Sequence, residues 1–258
     1  MITFNSHIFE AWVIALMLPL TRILGFIAIA PFFSTTSFTI PVKVAFGIML
    51  ALIVIPAVPE IPRIDILSFR GVLILAEQVI IGLAMGLTAQ IIFTGVEMAG
   101  QLSGLMMGFG FASFFDSQSQ TSTPAIGTMM NILAMMVFLS INGHLILVSG
   151  LLESFRTFPI GAEAHGIDMM RIALWGSKLF SIGLQLALPM VAALLITNIS
   201  LGILTRAAPQ LNIFGIGFPI TICVGFIVFA LMMPSMAPAY RYFIEQGITT
   251  SQSIIQLR

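Results

Sequence analysis

Long unbroken apolar runs dominate this chain, and alternating or evenly mixed stretches do not. Residues 117–152, 179–205 and 207–240 contain no Asp, Glu, Lys or Arg, and residues 78–96 and 98–115 are separated only by Glu97. A hydrocarbon core of about 30 Å takes roughly 20 residues of helix, so runs of this length predict helices that cross a membrane. An outer-membrane barrel would show alternating decamers divided by turns, which these continuous runs are not. Proline cuts the pattern into elements. Pro31 and Pro41 bracket the polar stretch STTSFT, Pro56, Pro59 and Pro62 form a break, and Pro159, Pro209 and Pro219 mark later ones. The apolar helices then fall near 8–30, 42–57, 70–107, 125–152, 169–205 and 213–243. Pro19, Pro189 and Pro234 lie inside three of them, where a lost backbone hydrogen bond predicts a kink.

Two of these lengths do not suit a simple span. Residues 70–107 hold no proline, and a straight helix over them would reach about 55 Å at 1.5 Å per residue, so it either folds back as a hairpin or projects beyond the bilayer. The 42–57 element is short for a span. Loop charges assign no orientation, because Arg63 and Arg70 share a loop with Glu60 and Asp65, and Arg156 and Arg171 share one with Glu153, Glu163 and Asp168. The N-terminal stretch MITFNSHIFEAW carries Glu10 and no basic residue, the wrong charge for a secretory signal, and is expected to be retained. Neither a linker nor an internal repeat divides the chain, which reads as one helical unit over 1–258 with no separate soluble domain.

Composition narrows the function. Hydrophobic residues make up 59% and charged residues 8%, against roughly 25% charged in soluble domains, so a soluble fold is excluded. Ten basic and ten acidic residues cancel, leaving no field to attract a nucleic-acid backbone. The single cysteine, Cys223, sits in an apolar run and can form neither an intrachain disulfide nor a thiolate cluster. Catalysis has no support either. His7, His144 and His165 are dispersed with no H-E-x-x-H pair, Asp116 stands alone where an aspartyl pair would be needed, and neither a G-x-S-x-G elbow nor a phosphate-binding G-x-x-x-x-G-K-[ST] loop occurs. No enzyme activity, metal or cofactor is expected.

Three features remain as candidate machinery, each beside a plainer reading. Gly82 with Gly86, and Gly100, Gly104 and Gly108, recur at four-residue spacing, which on a helix makes a line without side chains along which another helix can approach closely. That helix can belong to this chain or to a neighbouring subunit. After the line comes LMMGFGFASFFDSQSQTSTP, in which Met106, Met107, Gly108, Phe109, Gly110, Phe111, Phe114, Phe115 and Asp116 set bulky apolar side chains on a flexible backbone. Such a segment can fill an opening by dispersion contact and leave it without breaking charge pairs, as a hydrophobic gate requires; its plainer reading is a helix end whose phenylalanines meet lipid or core. Five adjacent methionine pairs could seal a varied cargo or simply fill the core. The polar residues inside apolar runs, among them Arg22, Glu77, Glu97 and Arg206, do not gather into one obvious ion path, and snorkelling or buried pairing accounts for them.

Three stretches resemble one family, the FliR family of flagellar export-apparatus proteins, whose injectisome counterparts are the SctT-type proteins. The first is RILGFIAIAPFFSTTSFTIPVK, with Arg22, Pro31 and Pro41; the second joins MGFGFASFFDSQ to NGHLILVSGLLESFRTFPIG, with Asn142 and His144; the third is LGILTRAAPQLNIFGIGFPI, with Arg206, Pro209, Asn212, Phe214 and Pro219. One position departs: the family often has Asp-Pro after M-G-F, whereas Asp116 is followed here by Ser117.

The resemblance implies an all-α membrane protein of long kinked helices and helical hairpins. It further implies assembly with FliP and FliQ into a helical export gate in the bacterial inner membrane, at the flagellar basal body. FlhB would associate at the entrance, unfolded flagellar subunits would pass through, and part of the assembly would stand above the membrane plane. It makes residues 108–118 the plug. The alternative is a self-sufficient secondary transporter or ion channel, suggested by helices broken at Pro19, Pro189 and Pro234 and by Glu77 and Glu97 within apolar runs.

Overall fold

In the computed structural model, residues 6–35, 37–57, 68–110, 125–161, 169–209 and 213–253 are described. They contain the helices α1 (Ser6–Ile29), α2 (Ile40–Val54), α3 (Phe69–Met107), α4 (Ala125–Ser140), α5 (Gly143–Thr157), α6 (Met169–Ala207) and α7 (Ile213–Ser253), with one 3-10 turn at Ile55–Ala57 and no strand among the described residues. The protein is all-α. Four helices, α1, α3, α6 and α7, are long and apolar enough to cross a membrane, and α4 with α5 makes a fifth if that bent pair is one span.

One choice that the apolar pattern leaves open is decided, and two departures from the pattern have local causes. The run 70–107 is one continuous helix of 39 residues, so it does not fold back; nothing interrupts it before Gly108, whose φ of 91° is open to glycine and whose amide donates to the Leu105 carbonyl at 3.0 Å. The run 125–152 is instead two helices, broken where Asn142 takes a left-handed conformation with φ 56° and Gly143 follows it. Finally, α7 runs on to Ser253, past the apolar run that ends near 243, because Ile244, Ile248 and Ser251 form a buried line on a segment that is otherwise polar. Pro19, Pro189 and Pro234 lie inside α1, α6 and α7, and α7 also holds Pro219 and Pro238.

The chain divides into two compact units, and several helices contribute to both. Met1–Ile91, Asn142–Gly176 and Ile244–Arg258 make the first. There α1 lies against α3 with Ile23, Phe26, Ile27, Ile81 and Met85 nearly wholly buried. Ser251 of α7 donates its hydroxyl to the Met85 carbonyl at 2.9 Å, and the Trp175 indole donates to the Thr88 carbonyl at 3.1 Å. A knot of phenylalanines closes the end of α1. Phe33 stacks on Phe46 at 5.6 Å, and Phe32, with the unusual φ of 71°, meets Phe33 at 5.3 Å and Phe38 at 5.7 Å.

Ile92–Ile141 and Ser177–Phe243 make the second unit. Here the later turns of α3 pack on α4 and α6. Phe93 meets Phe138 edge-on at 5.5 Å, and Gly95 and Gly183 let α3 and α6 approach, so that a Cβ at either would come within 3.1 Å of Ile182 or Met98.

Candidate functional site

Arg22 is wholly buried on an apolar helix, a position that demands acceptors, since a guanidinium carries five donors and nothing else. In the first unit they come from two helices. Nε donates to Gln78 Oε1 at 2.8 Å; one terminal nitrogen donates to the Ser154 carbonyl at 2.8 Å and to Ser154 Oγ at 3.2 Å; the other donates to the Phe158 carbonyl at 3.0 Å. The guanidinium also lies 4.3 Å from the centre of the Phe155 ring. Ser154 O and Phe158 O are carbonyls at the C-terminal end of α5, where a helix concentrates partial negative charge. Arg22 therefore caps α5 from another helix and pins α1, α3 and α5 together.

The glycine line is occupied by neighbours from this chain. A Cβ on Gly82 would strike the Arg22 carbonyl and come within 2.8 Å of the Phe26 nitrogen; on Gly86 it would lie 2.9 Å from the Phe26 carbonyl and 3.0 Å from the Ala30 nitrogen; on Gly25 it would lie 2.8 Å from the Val79 carbonyl. Backbone thus meets backbone along α1 and α3. In the second unit, Gly100 meets Gly127 of α4, while Gly104 has Ile126 alone among the described residues, at 3.8 Å.

At the end of α3, the start of the phenylalanine segment is fastened to α7 within the second unit. Met107 is buried, its carbonyl accepts from Thr221 Oγ1 at 3.1 Å, and its thioether fills the space left by Gly225, where a Cβ would lie 2.7 Å from Met107 Cε. The Phe218 ring covers Gly108, 2.9 Å from where a Cβ would sit, and Phe109 meets Phe226 nearly perpendicularly at 6.5 Å. Met106 is exposed, and the backbone is helical again at Phe109 and Gly110. Phe111, Phe114, Phe115 and Asp116 lie outside the described residues.

The remaining candidates are spread over both units. Pro31 is buried after α1, Pro41 opens α2, and the His144 ring lies 6.1 Å from Phe32. Asn142 makes the α4–α5 break and is exposed; Arg206 is exposed in the last turn of α6, with Pro209 just beyond; Pro219 is inside α7. Phe214 is in the first turn of α7, its side chain not described, and Asn212 lies outside the described residues. Gln78, Ser154, Phe158 and Thr221 escape a sequence reading. Their one signal is indirect: a buried arginine and a helix-ending carbonyl both need partners.

Comparison with known proteins follows the whole length of the chain. The family described as Bacterial export proteins, family 1, matches residues 13–247. Relatives each named flagellar biosynthetic protein FliR include one from Pectobacterium carotovorum subsp. carotovorum, 40% identical over 92% of this chain and 91% of its own. Another, from Escherichia coli (strain K12), is 39% identical over 99% of this chain and 98% of its own. That from Bacillus subtilis (strain 168) is 28% identical over 94% of this chain and 95% of its own.

Proposed function

Since this chain belongs to the Bacterial export proteins, family 1, we propose that it is a channel-forming subunit of the flagellar type III export apparatus. In this reading it lies in the bacterial inner membrane at the flagellar basal body. It joins FliP and FliQ in a hetero-oligomeric gate with FlhB at the entrance, and unfolded flagellar subunits pass through. The relatives' shared name supports the flagellar part, and the chain serves as a single gate subunit with no chemistry of its own.

The observation that carries the assembly is the length of uncovered apolar helix. Helices α6 and α7 have 39 and 41 residues, roughly 58 and 61 Å if straight, about twice a hydrocarbon core. Only 33% and 22% of their apolar windows are buried in the chain, against 67% for α3. Exposed large apolar side chains run along α6 from Met170 to Leu204, a rise of about 51 Å. Acyl chains can cover about 30 Å of that, and the rest calls for apolar protein.

Residues 108–118 act as the plug. Support comes from their root: Met107 and Phe109 are held on α7 by a hydrogen bond, a glycine notch and an edge-on ring contact, none of them ionic, so the base is fastened without a charge pair. The glycine line serves assembly by fixing α3 on α1 and on α4. Co-expression with FliP and FliQ, gentle detergent extraction and native mass determination test the reading. A discrete hetero-oligomer is expected. A stable species of this chain alone, with solute transport in liposomes, would instead identify a self-sufficient transporter.

A further inference from the structure

Hydroxyl side chains on α6 satisfy themselves on their own helix: Thr197 donates to the Ala193 carbonyl, Ser200 to that of Ile196 and Thr205 to that of Gly202. Asn198 does not. It is exposed, with no hydrogen-bond partner among the described residues. One turn on, a Cβ added to Gly202 would meet nothing within 4 Å among the described residues, whereas Gly95 and Gly183 in the same unit each have a neighbour at 3.1 Å. One turn further, Arg206 is exposed and has no ion-pair or hydrogen-bond partner among the described residues.

Spacing of four places these three residues in one line on the helix, beside the exposed line of Leu195, Ile199 and Ile203. Asn198 is nine residues before the end of α6, so about 14 Å inside it. Facing acyl chains, its amide would be desolvated with nothing to bond. Gly202 costs helix stability relative to alanine and here receives no close approach in return. A lipid cover leaves both costs standing, whereas a partner helix seated in the Gly202 notch removes both.

We propose that the line Asn198, Gly202, Arg206 is the docking surface for a membrane helix of a different subunit. That helix offers an amide or hydroxyl opposite Asn198 and a carboxylate or free helix-end carbonyls opposite Arg206. Charge selects against a second copy of this chain. Two copies inserted the same way and paired along this line would set Arg206 against Arg206, two like charges at the same depth. The proposal rests on the reading of the chain as a subunit of a hetero-oligomeric gate and names the face that subunit uses.

The test uses the full chain co-expressed with FliP and FliQ. Asn198→Leu and Arg206→Glu should each lower partner recovery about threefold or more, the scale of one interhelical hydrogen bond, while Asn198→Gln and Arg206→Lys retain it. A photoreactive Ile203→p-benzoylphenylalanine chain, with the probe beside the line and the Gly202 notch left open, should on irradiation in intact membranes yield an adduct with the mass of this chain plus one partner. Undiminished recovery with both Asn198→Leu and Arg206→Glu would assign the face to lipid and overturn the proposal, with the gate reading intact. An adduct of twice this chain's mass would overturn it in favour of a second copy. Failure of the unsubstituted chain to recover any partner would overturn the gate reading and this proposal together.

Discussion

Replacing Arg22 strips the end of α5 of its cap in a place where water cannot take over. Arg22→Met fits the volume but leaves Phe158 O and Gln78 Oε1 without a donor and Ser154 O with the Phe158 amide alone, and should destabilise the protein by about 3 kcal/mol or more. Arg22→Lys should rescue little, since an ammonium cannot reach acceptors on two helices with one planar fork. Gln78→Leu should cost less, because the two carbonyl contacts survive. Loss of monodisperse protein on heating in detergent would rank the three; an Arg22→Met chain as heat-stable as the unsubstituted one would contradict the capping role. The demand was legible in the sequence, because an arginine in an apolar run needs partners. The partners were not: they lie 56, 132 and 136 residues away, and only the fold brings them in.

At the scale of elements, the glycines of α3 divide by what faces them. Gly82→Ala should force α1 and α3 apart and cost about 3 kcal/mol, because the obstacle is the backbone at Arg22 and Phe26. Gly104→Ala should be neutral or raise stability by about 1 kcal/mol, since Ile126 is at ordinary contact distance and alanine favours the helix. The same heating assay separates them, and equal effects would contradict the division. The four-residue spacing announced close packing without saying which helix would fill it. The apolar pattern gave six runs and their order, and it failed where a local backbone state overrode it. Asn142-Gly143 is a turn signal inside a run that is apolar throughout, so hydropathy passes over it. The last ten residues of α7 are helical through one buried line, too sparse for a hydropathy average to register.

For the whole molecule, sequence and structure contribute different things. All-α membrane architecture follows from the runs themselves, and family membership from motifs that extend over nearly the full length. The proposed plug segment stands out in the sequence only as an unusual composition at residues 105–124, of which the described part shows an anchored base. If residues 108–118 obstruct the resting pore, deleting residues 110–115 should raise ion conductance of the assembled complex in planar bilayers. Unchanged conductance would count against the plug while leaving the assembly in place. The central claim is passage of protein, and its most direct measurement is export. In cells lacking this chain, flagellar subunits in the medium should fall to background and return when the unsubstituted chain is supplied. Undiminished secretion without the chain would contradict its place in the export gate.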